Sequence, residues 1–404
     1  MKVLYVVTAY PRWPGDLITP WLVETIRRLR ERGVQVEVLA PSYRGSIDQV
    51  VDGVRVHRFR YAPARFETLT HDQTAPDRVR ERPWYLGLVP AYVIAGRRAT
   101  RALARAGDFD VVHVFWPVPH GLFGMAAKRS GGPPLVSTFF GVELSWLKGQ
   151  LRLLRPVVRA IIRASDVVTV ISSHTAAAVR QVVPGAAVRT IPFGAALDGD
   201  DSRAAPRVRQ PGDPFQLLFV GRLVERKGVN ILLEAVGALK DTRDLRLVVV
   251  GEGPERAALT VLAEGLGIAD RVEFTGPITP DELRIRYSRC DAFVLPAVRD
   301  SKGDVEGLGV VLIEALLQGK PVIASASGGI VDIVRHGETG LLAPAGDSAG
   351  LAGAITIYMD DPEFALRLAN DGRAHVLREF SWSTITDRLV EVYEELAGLR
   401  KEIR

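Results

Sequence analysis

Short runs of β-branched residues alternate with longer amphipathic stretches along almost the whole chain. This alternation predicts parallel strands joined by crossover helices, which is the pattern of an α/β protein. Helices are predicted between most strands of the first half. The predicted strands there are Lys2–Val7, Val34–Leu39, Val54–Phe59, Val111–Phe115, Leu135–Phe139, Val167–Ile171 and Ala187–Ile191.

A polar segment interrupts this rhythm between Gly199 and Asp213, where Gly, Asp, Ser, Arg and Pro dominate. That composition is typical of a linker between domains. The alternation of strands and helices then starts again. The predicted strands of the second half are Phe215–Val220, Leu245–Val250, Val272–Phe274, Ala292–Leu295 and Pro321–Ala324.

We therefore predict two Rossmann-like doubly wound domains, an N-terminal one over residues 1–200 and a C-terminal one over 214–380, joined by a linker over 201–213. The last segment, 381–404, contains an amphipathic helix that we expect to pack back on the N-terminal domain. Open α/β sheets bind ligands at the carboxyl ends of their strands. Two such sheets facing each other would place the function in the cleft between the domains.

The composition fits a globular protein with two hydrophobic cores, because 47% of the 404 residues are hydrophobic and 25% are charged. The formal net charge is +5, and the basic residues are scattered along the chain. This distribution favours a basic cleft for an anionic ligand over an arm that binds nucleic acid, so no nucleic-acid partner is expected. Cys290 is the single cysteine, which excludes an intrachain disulfide.

The sequence predicts a cytoplasmic protein, since we find neither a secretory signal nor an apolar run long enough for a transmembrane helix. The segment Leu144–Ala164 carries apolar residues on one helical face and arginines away from it. Peripheral contact with anionic lipid at the inner face of the membrane is one interpretation of this pattern. The other is an ordinary helix packed on the sheet, which Pro156 would start or interrupt.

The first motif with clear chemistry runs from Glu306 to Glu314, Glu-Gly-Leu-Gly-Val-Val-Leu-Ile-Glu, after a predicted strand. Its glycines let the backbone approach a ligand, and the helix predicted to begin here directs N–H groups and its positive dipole end at that ligand, which favours a phosphate. The two carboxylates, roughly 12 Å apart along a helix axis, could bind hydroxyls at the two ends of a sugar diphosphate. The alternative is one glutamate at the helix start and one on the helix surface.

The second motif, Gly-Arg-Leu-Val-Glu-Arg-Lys-Gly from Gly221 to Gly228, directly follows a predicted strand. A leaving nucleoside diphosphate develops negative charge, which fixed cations can neutralise without a divalent metal. Arg222 could bind two oxygens through its forked guanidinium group, and Lys227 could act as a point charge. We find no Asp-x-Asp or histidine-rich set in a matching loop, so no metal site is predicted. The alternative is that these basic side chains are simply solvated.

Together the two motifs resemble glycosyltransferase family 4, whose members are retaining enzymes of the GT-B fold. Further matches extend the resemblance over nearly the whole chain. They are Asp110-Val-Val-His113, Val170-Ile-Ser172, Ile191-Pro-Phe-Gly194, the segment Gly328–Gly337 and Thr339-Gly-Leu-Leu342. The segment Gly303-Asp-Val-Glu-Gly307 is similar to members that build exopolysaccharides and other cell-surface glycans.

The resemblance implies that Arg222 and Lys227 hold the donor diphosphate. Glu306 would bind the transferred sugar and Glu314 the ribose, so the catalytic assignment falls on Glu306, Arg222 and Lys227. The other residues that the resemblance places at the donor are Gly221, then Leu308, Gly309 and Val310 beside the phosphates, and Pro277 and Ile278 by the nucleobase, with no part of the donor specified for Gly221.

Two segments of the first half depart from the family pattern. The family's Thr-x-His-Gly-x-Asp is Thr-Phe-Phe-Gly-Val-Glu here, so Phe140 stands where a histidine would contact the donor. The loop after the first strand lacks the Gly-Gly pair common in the family. Two histidines are candidates for a general base or else structural. The residues implied on the acceptor or sugar side are Gly15, Phe140, Gly141, Glu143, His113 at a predicted strand end, and His120.

The resemblance thus implies transfer of a sugar from a nucleoside diphosphate sugar to a hydroxyl of a glycan or lipid-linked acceptor, with retention of anomeric configuration. The nucleoside diphosphate sugar is a co-substrate, and neither a metal nor another cofactor is expected. Two alternatives stay open. A nucleotide-sugar epimerase of the same architecture would convert the donor without an acceptor, and a non-catalytic nucleotide-sugar or glycan-binding protein would release no nucleoside diphosphate.

Overall fold

The computed structural model describes residues 1–16, 18–72, 75–129, 131–148, 152–195, 210 and 212–403. The chain divides into two compact units. The first consists of Met1–Pro192 with Trp382–Arg404, and the second of Phe193–Ser381. Of the predicted linker, residues 201–209 and 211 lie outside the described residues.

The first unit is built on an eight-stranded sheet. Its elements in chain order are β1 (Lys2–Val6), α1 (Pro20–Glu31), β2 (Gln35–Pro41), β3 (Gln49–Val51), β4 (Val54–Phe59), α2 (Ala75–Glu81), α3 (Val89–Ala106), β5 (Val111–Phe115), α4 (Pro117–Lys128), β6 (Leu135–Phe139), α5 (Val142–Ser145), α6 (Arg155–Ala164), β7 (Val167–Val170), α7 (Ser173–Val182) and β8 (Val188–Thr190). The sheet order is β3, β4, β2, β1, β5, β6, β7, β8. Of these neighbours only β3 and β4 pair antiparallel.

Both faces of this sheet are buried. Along β1, Leu4 and Val6 belong to one hydrophobic core, whereas Val3 and Tyr5 belong to another. Alternate residues of a strand point to opposite faces, so helices must cover the sheet on both sides. This double burial explains why the central strands are mostly apolar, as β5 is apart from His113.

The second unit is built on a six-stranded parallel sheet. Its elements in chain order are β9 (Phe215–Val220), α8 (Val229–Leu239), β10 (Leu245–Val250), α9 (Arg256–Gly265), β11 (Val272–Gly276), α10 (Pro280–Arg289), β12 (Ala292–Leu295), α11 (Val310–Leu317), β13 (Val322–Ser325), α12 (Ile330–Ile333), β14 (Leu341–Ala343), α13 (Ser348–Asp360) and α14 (Pro362–Glu379). The sheet order is β11, β10, β9, β12, β13, β14. The predicted α/β class with two doubly wound sheets is confirmed.

The last helix, α15 (Trp382–Ile403), belongs to the first unit. Its residues Ile385, Leu389, Val392 and Tyr393 recur at helical spacing and lie in the same core as Tyr5. The hydroxyl groups of Tyr5 and Tyr393 are 2.7 Å apart and hydrogen-bonded. Among the described helices, none is both long and apolar enough to cross a membrane.

The predicted strands end within two residues of the observed ones, but β3 and β14 were not predicted. Each has three residues, too few to show a periodic pattern. The predicted helix Leu144–Ala164 is interrupted, because α5 ends at Ser145 and α6 begins at Arg155. Pro156 lies in the first turn of α6, where a missing N–H costs nothing. The apolar side chains of Val158 and Ile161 are buried in the core of the first unit, as in an ordinary packed helix.

Candidate active site

The strand order of the second unit creates a crevice beside β9. Its neighbours are β10 on one side and β12 on the other, so the chain leaves the carboxyl ends of β9 and β12 in opposite directions. Open parallel sheets bind ligands at such a point, outside the carboxyl ends of the strands. Both motifs of the second half lie in the segments that follow these two strands.

The loop after β9 is held closely against the loop after β12. Gly228 has a left-handed backbone, with φ 65°, and a Cβ atom there would lie 2.0 Å from the carbonyl oxygen of Pro296. The N–H of Val298 donates to the carbonyl oxygen of Arg226 at 2.9 Å. Only glycine permits both this conformation and this close approach. The backbone therefore fixes where Lys227, next to Gly228, presents its side chain.

Lys227 and Glu306 form an ion pair that joins the two motifs. Nζ of Lys227 lies 2.8 Å from Oε2 of Glu306, and Nε of Arg226 lies 3.9 Å from the same oxygen. Glu306 is 9% exposed. Its backbone is equally constrained, since a Cβ atom on Gly328 would lie 1.9 Å from the carbonyl oxygen of Glu306. A carboxylate and an ammonium group are thus held together in a buried position at the switch point of the sheet.

Glu314 lies on α11 and is separated from this pair by the start of that helix. The helix begins at Val310, and Gly309 before it has φ 89°. The first N–H groups of a helix have no partner within it and favour an anion. Glu314 is buried, and Oε2 accepts a hydrogen bond of 3.3 Å from the hydroxyl of Tyr287. Burial, and secondarily the charge of Glu314, raises the pKa of Tyr287 above its ordinary value, so this hydroxyl stays a donor.

The other predicted donor residues of the second unit lie in different environments. Arg222 is exposed and makes no ion pair within the described part of the chain, whereas Leu308 is buried. Pro277 is exposed and Ile278 half-buried, after Gly276 with φ 71° at the end of β11.

The sequence interpretation missed Arg226, Tyr287 and the steric role of Gly328. Arg226 and Gly328 lie inside segments that carried the family resemblance, so their positions were available. No signal pointed to Tyr287, because its contact with Glu314 depends on how α10 packs against α11.

The placement predicted for His113 was wrong. It lies in the middle of β5 rather than at its end, and it is fully buried. Nδ1 contacts the hydroxyl of Tyr393 and Nε2 that of Thr138, each at 2.6 Å. Burial lowers the pKa of His113 to about 3, so the ring is neutral at pH 7 and serves to join β5 to α15.

His120 is also buried and neutral. Its Nδ1 lies 3.0 Å from the carbonyl oxygens of Phe115 and Trp116, and its Nε2 lies 2.9 Å from the hydroxyl of Tyr92. Burial lowers the pKa of His120 to about 4. Both ring nitrogens of each histidine are therefore occupied by protein groups, which favours the structural interpretation of the two.

The remaining residues of the predicted acceptor side lie after β1 and β6. Phe140 stacks on Trp116, with ring centroids 4.4 Å apart. Gly141 has φ 100° and begins α5, and Gly15 has φ 82° with open space around it. Glu143 is 1% exposed and accepts from the N–H of Phe140, and burial raises the pKa of its carboxyl group to about 7.

Within the residues that the structure describes, no group of three or more His, Cys, Asp or Glu side chains could hold a metal ion. Lys227, Arg226 and Arg222 are cationic side chains on the loop after β9.

Comparison with known proteins identifies the family. Residues 21–198 match the family described as Glycosyltransferase Family 4, and residues 201–375 match Glycosyl transferases group 1. The GDP-mannose-dependent alpha-(1-6)-phosphatidylinositol monomannoside mannosyltransferase of Mycobacterium tuberculosis (strain CDC 1551 / Oshkosh) is 30% identical over 401 residues, which cover 96% of this chain and 97% of that protein. The chain belongs to glycosyltransferase family 4.

Other similar proteins agree with this membership. D-inositol 3-phosphate glycosyltransferase 1 of Catenulispora acidiphila is 33% identical over 402 residues, 92% of this chain and 89% of that protein. Sucrose-phosphate synthase from Thermosynechococcus elongatus has the same fold, with a TM-score of 0.74 at 24% identity over 99% of this chain and 100% of that one. The predicted GT-B fold is confirmed, and this family 4 member is a glycosyltransferase that uses a nucleotide sugar.

Proposed function

We propose that this family 4 protein is a retaining, metal-independent transferase that moves a sugar from a nucleoside diphosphate sugar to a hydroxyl of a glycan or lipid-linked acceptor. The observation that carries the proposal is the buried pair of Lys227 and Glu306 at the switch point of the second unit. A cation beside a carboxylate at this place can bind both the phosphate and the sugar of a nucleoside diphosphate sugar. Lys227 binds the phosphate oxygen, and Glu306 binds a hydroxyl of the sugar.

The residues around this pair complete the donor site in the proposal. The N–H groups at the start of α11, near Leu308, Gly309 and Val310, face the diphosphate. Arg222 is exposed, so its side chain is available to fold over the phosphate when the donor binds. Glu314, held by the hydroxyl of Tyr287, accepts the ribose hydroxyls.

In the proposed reaction the bond between C1 of the sugar and the phosphate oxygen breaks as a bond from C1 to the acceptor oxygen forms on the same face. The acceptor hydroxyl gives its proton to the leaving phosphate oxygen. Charge therefore accumulates on the diphosphate, where Lys227 and Arg222 stabilise it. No protein nucleophile is required, and neither buried histidine takes a proton.

The acceptor is proposed to belong to cell-surface polysaccharide or glycolipid synthesis on the cytoplasmic side of the membrane. The name of one relative supports this, since it acts on a phosphatidylinositol monomannoside, which is a glycolipid. Peripheral membrane contact is part of this proposal, but the apolar face of α6 is not its basis, because Val158 and Ile161 lie in the core.

A donor panel tests the proposed function. The full chain is incubated with GDP-, UDP- and ADP-sugars with and without phosphatidylinositol mannosides, inositol phosphates and oligosaccharides, and released nucleoside diphosphate and product are measured. We expect release that depends on an acceptor, and a product with the same anomeric configuration as the donor, assigned from the one-bond coupling between the anomeric carbon and its proton. Conversion of the donor without an acceptor would indicate an epimerase, donor binding without release would indicate a binding protein, and an inverted product would refute retention.

A further inference from the structure

A cavity rich in arginine opens in the first unit, on the carboxyl side of β2 and β4. It has a volume of about 520 Å³, and Arg44, Arg65, Arg78 and Arg82 line it. Arg44 follows β2, whereas the other three lie in the segment between β4 and α3. These loops extend from the edge of the sheet at which open α/β folds bind ligands.

One carboxylate lines the cavity together with the four arginines, and it is already engaged. Asp72 lies 3.3 Å from NH2 of Arg78 and 3.4 Å from NH1 of Arg12. It also accepts hydrogen bonds of 2.9 and 3.0 Å from the hydroxyl of Tyr43. Positive charge is therefore in excess around the cavity.

Arg78 lines the cavity with a guanidinium group that is only partly engaged. Its guanidinium group packs over the ring of Tyr85, with 5.8 Å from the central carbon to the ring centroid. Its Nε is buried and has no hydrogen-bond partner within the described residues. A buried donor without a partner is unfavourable, so a shift of this side chain that let an anion accept from Nε would be favourable.

The loop that carries Arg44 forms one wall of the cavity and is held in place by hydrogen bonds. Glu67 is fully buried, and its carboxylate accepts from the N–H of Gly45 at 2.9 Å and from the hydroxyl of Ser42 at 2.7 Å. The N–H of Arg44 donates to the carbonyl oxygen of Glu67 at 3.1 Å. These bonds hold Arg44 with φ 49°, a left-handed conformation that a non-glycine residue adopts only when its surroundings impose it.

We propose that this cavity binds a phosphate ester carried by the acceptor. Several forked guanidinium groups around one space match an anion with three or more oxygens, for which arginine is better suited than lysine. Arg44, Arg65 and Arg82 are exposed, so a phosphate can reach them from solvent. The inference rests on the proposed function only in calling the ligand an acceptor, because the anion site itself is independent of the transfer reaction.

Binding of glycerol 3-phosphate to the full chain, measured by isothermal titration calorimetry, tests the proposal without any turnover. The double variant Arg65→Gln/Arg82→Gln should bind about tenfold more weakly or worse, since two charge-assisted hydrogen bonds are lost. Arg97→Gln/Arg101→Gln removes the same charge from exposed positions of α3 outside the cavity and should bind like the wild type. An unchanged circular dichroism spectrum and melting temperature would show that each variant, altered in the first unit, is folded.

Two further measurements locate the anion and its source. Lys227→Ala should keep its affinity for glycerol 3-phosphate, because the cavity lies in the other unit. Flotation with phosphatidylcholine vesicles that contain phosphatidylglycerol distinguishes a lipid-borne phosphate from a soluble one. Flotation that Arg65→Gln/Arg82→Gln abolishes indicates a lipid-linked ester. Calorimetric binding that the same variant weakens, without flotation of the wild type, indicates a soluble ester.

The proposal is overturned if Arg65→Gln/Arg82→Gln binds both probes as the wild type does, or if the α3 variant loses as much affinity as the cavity variant. It is also overturned if only Lys227→Ala loses binding. None of these results depends on glycosyl transfer. The proposed function could therefore fail in the donor panel while the anion site stands, and the reverse could also occur.

Discussion

Nζ of Lys227 and Oε2 of Glu306 lie 2.8 Å apart in a buried position, and this contact connects the loop after β9 with the segment after β12. Each charge compensates the other while the donor is absent, because a lone buried charge would be costly. A bound sugar diphosphate would offer a phosphate to the ammonium group and a hydroxyl to the carboxylate. Lys227 and Glu306 are thus already positioned for the contacts that the proposed reaction requires.

Lys227→Ala and Glu306→Gln should each lower kcat by about 10²–10³, the range found when one preorganised stabilising group is removed. Steady-state kinetics with a saturating donor measures this. The double variant should lose less than the product of the two single effects, since the residues contact each other. Arg367→Ala on the exposed surface of α14 is the matched control and should retain activity. Near-normal turnover in both single variants would contradict the assignment of Lys227 and Glu306 to the active site.

Gly228→Ala should destabilise the second unit by at least about 2 kcal/mol, because the new Cβ would meet a backbone oxygen and the left-handed backbone would be strained. Chemical denaturation gives the free energy of unfolding. Gly353→Ala provides the control, since Gly353 lies inside α13 with open space around it and should gain about 0.5–1 kcal/mol. Equal stability of the two variants would contradict the close approach of the loops.

Tyr287→Phe should raise KM for the donor about three- to tenfold and leave kcat nearly unchanged. The lost hydroxyl donates to Glu314, which in the proposal binds the ribose in ground state and transition state alike. Tyr358→Phe removes another buried hydroxyl, bonded to the carbonyl oxygen of Val322, and controls for stability. A fall in kcat without a change in KM would count against a ribose role for Glu314.

Glu143→Gln should make the first unit more stable at pH 8 and change little at pH 4. Burial raises the pKa of Glu143 from its ordinary value of 4.5 to about 7, so the folded state holds its proton more tightly. The contribution of Glu143 to stability is therefore complete below pH 4.5 and is lost as the pH rises through 7. The gain at pH 8 should be on the order of 1–3 kcal/mol. Melting temperatures measured across pH report this gain, and Glu391→Gln at an exposed position is the control. The same pH dependence of the melting temperature in the two variants would refute the burial of the Glu143 carboxyl group.

Chelation by EDTA should leave turnover unchanged, because the proposal assigns neutralisation of the leaving diphosphate to Lys227 and Arg222 on one loop. Initial rates with and without the chelator, followed by addition of Mg²⁺ or Mn²⁺, measure this directly. Loss of activity that a divalent ion restores would show that a metal shares the charge and would refute metal independence.

Much of the fold could be predicted because parallel strands covered on both faces are mostly apolar along their length, as β5 and β9 are apart from His113 and Gln216. The short strands β3 and β14 escaped prediction, since three residues carry no period. The motif residues of the candidate site were also identifiable, because glycines and charges after a strand have a local meaning. Their roles stay predictions.

The sequence by itself determined the order of strands and helices, the family, and the residue types that follow β9 and β12. Only the tertiary structure decided that Lys227 contacts Glu306, that Tyr287 holds Glu314, and that four arginines surround one cavity. It also decided that His113 is a buried, hydrogen-bonded residue, because its partner Tyr393 is 280 residues away along the chain. The physical reason is that periodicity and turn chemistry act over a few residues, whereas pairing and desolvation depend on side chains that only folding brings together.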